Sequence, residues 1–180
     1  MRKDFGSKTW FMPLPVTIIG TYDENGVPNA MNAAWSTVYD HGKVFVSLGK
    51  HKTTENFKVT NAFTLSFATK ATEVESDFFG IASGKDMNKI EKAGFHAVKS
   101  DKVNAPLFEE YPLTLECTID SFEDGNLVGN IIKVLMGKVI VGDATELARV
   151  LENNSDHSIR GQMGKSPSAE IEKAILELLV

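Results

Sequence analysis

The feature that most constrains this chain is a connection that is too short. Residues 16–22 read VTIIGTY, rich in the β-branched residues that favour strands, and Pro28 opens a second extended run through Asn32 or Ala34. Between them stand only Asp23, Glu24, Asn25, Gly26 and Val27, with Asn-Gly supplying the positive φ of a hairpin turn. Parallel neighbours need a crossover of a dozen or more residues, so the first strands are antiparallel and a parallel doubly wound sheet is not expected.

The rest of the chain extends this pattern. His41-Gly42 turns the chain into a third strand over residues 43–48, and FTLSFA at 63–68 makes a fourth. Two long strands follow, 113–122 and 130–141, around a turn at Asp124-Gly125-Asn126; Gly137 inside the second points to a bulge or a close backbone approach. Short helices fall between them. One runs from Thr53 or Thr54 to about Val59, and one over 72–79 ends at Gly80. A third covers 86–93, with Asp86 as N-cap and Gly94 just past its end. Residues 96–108 read as irregular, with a turn at Asn104-Ala105-Pro106, and 145–152 as a helix. The tail, 166–180, is a helix capped by Ser166, with Pro167 at its first position and one apolar stripe through Ile171, Ala174, Ile175, Leu178 and Leu179. The expected fold is mainly β with α additions: an antiparallel barrel with peripheral helices, one domain over all 180 residues.

Charge and composition exclude several functions. A net charge of -5 and a pI near 5.4 argue against a nucleic-acid partner, which needs a basic field. No apolar run reaches the roughly 18–20 residues that span a bilayer, and MRKDFGSKTW is not followed by the apolar segment of a signal peptide. Cys117 stands alone, so no disulfide framework exists and a cytoplasmic setting is expected. His41, His51, His96 and His157 lack ligand spacing, so no metal site is expected.

Two stretches carry the candidate chemistry. NAMNAAWS offers small side chains that let a flat ligand approach the backbone, amides from Asn29 and Asn32, hydroxyls from Ser36 and Thr37, and a stacking face from Trp35. SLGKHKTTEN places Lys50, His51, Lys52, Thr53 and Thr54 just before a helix start, where free N–H groups, hydroxyls and ammonium groups suit a phosphate. The same residues also read as a capped helix with solvated lysines and as a strand whose small residues face a crowded core. Two neighbouring strands bringing both stretches to one rim would favour the site. Gly80 to Asp86 has three residues between its glycines where a P-loop needs four, and reads as a turn and helix cap. No GxGxxG follows a strand, so a Rossmann dinucleotide site is not indicated.

PNAMNAAWS followed by VSLGKHKTTEN resembles the flavin reductase-like, FMN-binding split-barrel proteins, close to the flavoredoxin branch. FFGIASGKDMNKIEKAGF resembles the family's segment after the fourth strand, and YPLTLEC and VLMGKVIVGD its two long late strands, so the resemblance covers about residues 10–143. It implies a six-stranded Greek-key split barrel, a homodimer, and FMN at the rim near the subunit interface. Asn29, Met31, Asn32, Ala33, Ala34, Trp35 and Ser36 match the segment that lines the isoalloxazine ring and ribityl chain. Ser47, Leu48, Gly49, Lys50, His51, Lys52, Thr53, Thr54 and Asn56 match the segment that takes the ribityl chain and phosphate. The implied function is a flavoprotein oxidoreductase that passes electrons from NAD(P)H or a reduced protein donor, through FMN, to an acceptor such as free flavin. The chemistry is the flavin's, so no catalytic residue is assigned. Many members carry a His shortly before the glycine matching Gly137; here Asn130, Ile131, Ile132 and Lys133 stand there, which favours the alternative of a non-catalytic flavin carrier or sensing module.

Overall fold

The computed structural model describes residues 2–11 and 13–137. The chain divides into two compact units, Met1–Leu135 and Met136–Val180, and all but the first two residues of the second lie outside the described range. The helices expected at 145–152 and 166–180, and the far end of the last strand, therefore lie outside the described residues.

Strands β1 (Thr17–Tyr22) and β2 (Pro28–Ala33) form the expected hairpin, in register from Thr17 opposite Ala33 to Tyr22 opposite Pro28. The Asp23 carboxylate organises its turn, accepting the N–H groups of Asn25 at 3.0 Å and Val27 at 2.9 Å, while Gly26 takes a φ of 74°. Strands β3 (Ser36–Asp40) and β4 (Lys43–Ser47) form a second hairpin. Strand β3 was not expected: past Ser36 its side chains are all exposed, so the alternation that signals a half-buried strand is missing.

Helix α1 (Lys52–Thr60) follows, then β5 (Ala62–Phe67), a 3₁₀ turn (Lys70–Thr72) and helix α2 (Glu73–Ile81), which keeps Gly80 within it. Helix α3 (Lys89–Ala93) is capped by Asn88 rather than Asp86, because the Asn88 side chain accepts the Glu91 N–H at 3.3 Å; Gly94 closes it at a φ of 70°. The stretch expected to be irregular contains a small two-stranded sheet, β6 (Ala97–Lys99) with β7 (Pro106–Phe108). The long strands are β8 (Leu113–Glu123) and β9 (Asn126–Met136). Their turn holds only Asp124 and Gly125, both left-handed at φ 50° and 83°, so β9 begins at Asn126, four residues earlier than expected.

The main sheet has the order β2-β1-β5-β8-β9-β4-β3. It holds seven strands where six were expected, the addition being the exposed β3 at one edge. The period of two along each strand divides the core. One cluster takes Ile19, Met31, Val44, Val46, Phe63, Leu65, Leu115, Cys117 and Leu127, so six strands from β1 to β9 turn side chains onto one another and onto Phe57 of α1. A sheet whose own strands share one core is curled, which is the split-barrel architecture. The alternate residues Ile18 and Ala30 face outward and are covered by Phe79 of α2, Ile90 of α3 and Phe108 of β7. Helix α2 thereby runs along β2, and α1 starts where β4 ends. Among the described residues, no helix is long and apolar enough to cross a membrane.

Candidate functional site

A groove lies between β2 and the β4–α1 junction on one side and α2 with its following loop on the other. It consists of two cavities of about 330 and 430 Å³, each within the usual range for a ligand site. Met31, His51, Gly80 and Ile81 line both, so the two are one continuous groove.

The smaller cavity is the cationic end. Lys50, Lys52, Lys85 and Lys89 all line it, beside Asn29 and Thr53. Thr53 and Asn29 are buried, and the Asn29 amide donates to the Thr53 hydroxyl at 2.8 Å, tying β2 to the first turn of α1. Helix α1 begins at Lys52 because the Thr54 hydroxyl accepts the His51 N–H at 3.0 Å and donates to the His51 carbonyl at 2.8 Å. The Lys52 and Thr53 N–H groups precede the first helical bonds, which run from Thr54 and Glu55 to the His51 carbonyl at 3.1 and 3.2 Å, and carry the helix's positive end. Lys52 is held by Asp23 at 3.0 Å, which aims it from the first hairpin turn toward the groove. Burial opposes ionisation of Asp23, but the hydrogen bonds from Val27, Lys52 and Asn25 outweigh it and hold the carboxyl below its ordinary range. Lys85 reaches across to Glu55 at 2.6 Å. Lys50 makes no ion pair among the described residues.

Lys89 is the unusual member. It is only 5% exposed, and its ammonium donates to the Phe79 carbonyl at 3.0 Å. Burial pushes its pKa down to about 8. A buried ammonium with donors to spare, beside three further lysines, is a strong attractant for a phosphate.

The larger cavity is the flatter, less charged end. Ala33, Ala34 and Trp35 form one side, and Ser47, Leu48 and Gly49 another. Asn32 turns its amide to the Ser76 carbonyl at 3.0 Å, which fixes α2 against β2. Trp35 and Ile81, 61% and 79% exposed, are apolar lips at the mouth. The chain crosses the groove closely because two glycines permit it. A Cβ on Gly80 would sit 3.2 Å from the Asn32 Cβ, and one on Gly84 would collide with the Asn29 side-chain amide oxygen Oδ1.

The structure thus brings together Asn29, Met31, Asn32, Ala33, Ala34, Trp35, Ser47, Leu48, Gly49, Lys50, His51, Lys52 and Thr53. Ser36, Thr54 and Asn56 line neither cavity. Ser36 accepts from the Thr17 hydroxyl at 3.1 Å, Thr54 caps α1, and the Asn56 amide donates to the buried Thr21 hydroxyl at 3.0 Å, so all three position the neighbouring residues. The sequence reading missed the opposite wall: Asp77, Gly80 to Lys85, and Lys89. The spaced glycines at 80 and 84 were the available signal.

Comparison with known proteins agrees with this architecture. A family profile described as "Flavin reductase like domain" matches residues 9–151. The solved structure of flavoredoxin from Desulfovibrio vulgaris (Miyazaki F) is similar at TM-score 0.74 and 31% identity, over 79% of this chain and 80% of that one. Flavoredoxin from Methanosarcina acetivorans aligns at TM-score 0.66 and 25% identity, covering 78% and 79%. An FMN-binding domain of a flavin reductase-like enzyme from Shewanella baltica OS155 shares the fold at TM-score 0.62 and 22% identity, covering 67% of each chain. Among curated proteins there is no match to this chain. With its curled antiparallel sheet, its bipartite groove and a profile match across most of its length, the chain belongs to the flavin reductase-like family of FMN-binding split-barrel proteins, in the flavoredoxin branch.

Proposed function

We propose that the groove binds FMN and that the protein is a flavin oxidoreductase, passing electrons from NAD(P)H or a reduced protein donor through FMN to an acceptor such as free flavin. The observation that carries this is the polarity of one continuous groove: four lysines at one end, and small residues with an exposed tryptophan at the other. A phosphate on a short polar chain joined to a flat ring fits that order. Lys50, Lys52, Lys89 and the first turn of α1 would hold the phosphate. Met31 to Trp35 and Ser47 to Gly49 would hold the ring. The likeness to the flavoredoxin of D. vulgaris supports the same reading. Bound FMN would supply the redox chemistry. The protein binds it, orients it and limits water at its inner side, leaving the mouth at Trp35 and Ile81 open to a partner.

The same reading includes a homodimer in the cytoplasm with the flavin near the interface. Strand β3 is a sheet edge that leaves Val38 and Tyr39 exposed, close in sequence to exposed Trp35. An apolar edge of this kind is normally covered, and a second copy would cover it.

The test is an absorption spectrum of the purified protein after addition of FMN and desalting, with a fluorescence titration of Lys50→Ala/Lys89→Met. Retained flavin bands, with affinity lost in the double variant, are expected. A protein that retains no FMN and shows no titration overturns the assignment. NADH and NADPH oxidation by the FMN-loaded protein then identifies the donor.

A further inference from the structure

Beyond the ring end lies a third cavity of about 640 Å³, between the start of β1, the 3₁₀ turn and the outer half of α2. Asn32 and Asp77 line both it and the ring cavity. The three cavities thus follow one another along β2 and α2, and a single layer of side chains divides the second from the third. That dividing wall is fixed. The Asn32 amide is bonded to the Ser76 carbonyl at 3.0 Å, and the Ser76 hydroxyl to the buried Tyr111 hydroxyl at 2.9 Å.

We infer that this third cavity seats the electron acceptor, and that the acceptor is an uncharged ring of the quinone class rather than a phosphorylated nucleotide. The inference rests on the flavin reading above and replaces the free-flavin acceptor named there with an uncharged ring. Charge decides the class. The phosphate end of the groove carries four lysines, whereas the third cavity sets Glu73 and Asp77 against Lys70 alone. A pyrophosphate entering there would face net negative charge, while an uncharged ring meets no such barrier. The remaining surface suits it. Val16, Ala68 and Val74 give apolar walls, with Val74 76% exposed at the rim. Donors for ring carbonyl oxygens are present in Lys70, which makes no ion pair among the described residues, and in Thr69, whose hydroxyl has only a 3.4 Å contact to Thr72. The transfer balances: reduced flavin would give two electrons across the single side-chain layer and two protons to solvent, and the quinone would take up the two electrons and two protons from solvent as its two carbonyl oxygens become hydroxyls.

The test uses menadione as the uncharged probe and NADPH as the anionic one. Each is titrated calorimetrically into the full chain, with and without FMN. Val74→Trp fills the cavity from its exposed rim. It is expected to weaken menadione binding by roughly tenfold, because the indole would occupy the volume the ring needs and close its entrance. FMN affinity should move by less than about twofold, since Val74 lines neither flavin cavity. NADPH binding should be unaffected by the same change. Lys70→Met, at an exposed position, should weaken menadione severalfold without altering the fold. Menadione that fails to bind, binds equally well to both variants, or displaces FMN overturns the inference. So does NADPH binding that Val74→Trp weakens. Failure of the flavin reading is separately visible: FMN would not bind, while the menadione titration of flavin-free protein still judges the cavity.

Discussion

The Asn29 side-chain amide donates to the Thr53 hydroxyl at 2.8 Å, both groups buried, and this bond joins the strand that lines the groove to the helix that starts it. Thr53→Val keeps the shape and removes the acceptor, leaving a buried N–H unpaired. The expected loss is about 1–3 kcal/mol of stability. For a chain of this size that is a fall in Tm of about 2–4 °C per kcal/mol. Flavin affinity should fall with it, because Thr53 is part of the phosphate cavity. Thermal unfolding that leaves Tm unchanged would mean the bond is not maintained in solution.

Gly84 presses its backbone against Asn29 from the other side of the groove. Gly84→Ala would place a methyl on the Asn29 side-chain amide oxygen Oδ1 and 3.4 Å from the Lys52 Cδ. Either the loop lifts or Asn29 turns and abandons Thr53. Overfilling of this kind costs about 1–3 kcal/mol, so FMN affinity should fall by roughly tenfold. Gly26→Ala is the contrast. It strains a left-handed turn at φ 74° with nothing within 4 Å of the added carbon, so it should lower Tm and spare affinity. Fluorescence titration of the two variants separates steric damage at the groove from general loss of stability.

These two glycine sites also show what the sequence could and could not reveal. Strand-forming runs and Asn-Gly or Asp-Gly turns are local chemistry, so the β1–β2 hairpin and the long β8–β9 pair were legible. The near wall was legible too, because NAMNAAWS and SLGKHKTTEN each carry their residue types contiguously. The far wall was not. Gly80 to Lys85 reads locally as a turn and a cap, and only the packing of α2 along β2 makes it the groove's opposite wall, against Asn32 and Asn29. Lys89 is a similar case: its place depends on a short helix whose ammonium reaches the Phe79 carbonyl ten positions earlier. Strand β3 was missed for the opposite reason. It buries almost nothing, so burial periodicity could not mark it.

Lys89 should make flavin binding depend on pH. Burial lowers its pKa from 10.5 to about 8. Between those values the folded chain holds fewer protons than the unfolded one. The group's destabilising contribution is therefore full below pH 8 and is relieved as pH rises through that window. Binding runs the other way, because a phosphate needs the ammonium. The phosphate's own second ionisation is complete below this range, with a pKa of about 6. FMN affinity should thus be flat near pH 7 and fall above pH 8, approaching about tenfold per pH unit as each binding event takes up one proton. Lys89→Met should bind more weakly at pH 7 and flatten that slope. A wild-type titration with no pH dependence from 7 to 9.5 would remove Lys89 from the phosphate contact.

Away from the groove, Glu116 bears on the stability of the sheet itself. It lies fully buried on β8, opposite Thr64 of β5, on the face covered by β7. Its neighbours on that face are satisfied: the Thr64 hydroxyl donates to the Pro106 carbonyl at 2.6 Å, and Ser66 and Thr114 share a hydrogen bond at 2.8 Å. Neither Glu116 oxygen has a hydrogen-bond partner among the described residues. A buried carboxyl group without partners opposes folding, and an apolar side chain of similar length does not. Glu116→Met should therefore stabilise the fold by about 1–3 kcal/mol, raising Tm by about 2–4 °C for each. Thr114→Val on the same face should do the reverse, because it breaks a pair that is already made. If Glu116→Met instead lowers Tm, the carboxyl group is served in solution by a buried water or a charge that swings in from the surface, and removing it destroys a real interaction. The sign of that one shift tells whether the interior of the barrel wall tolerates an unmet group or conceals a partner for it.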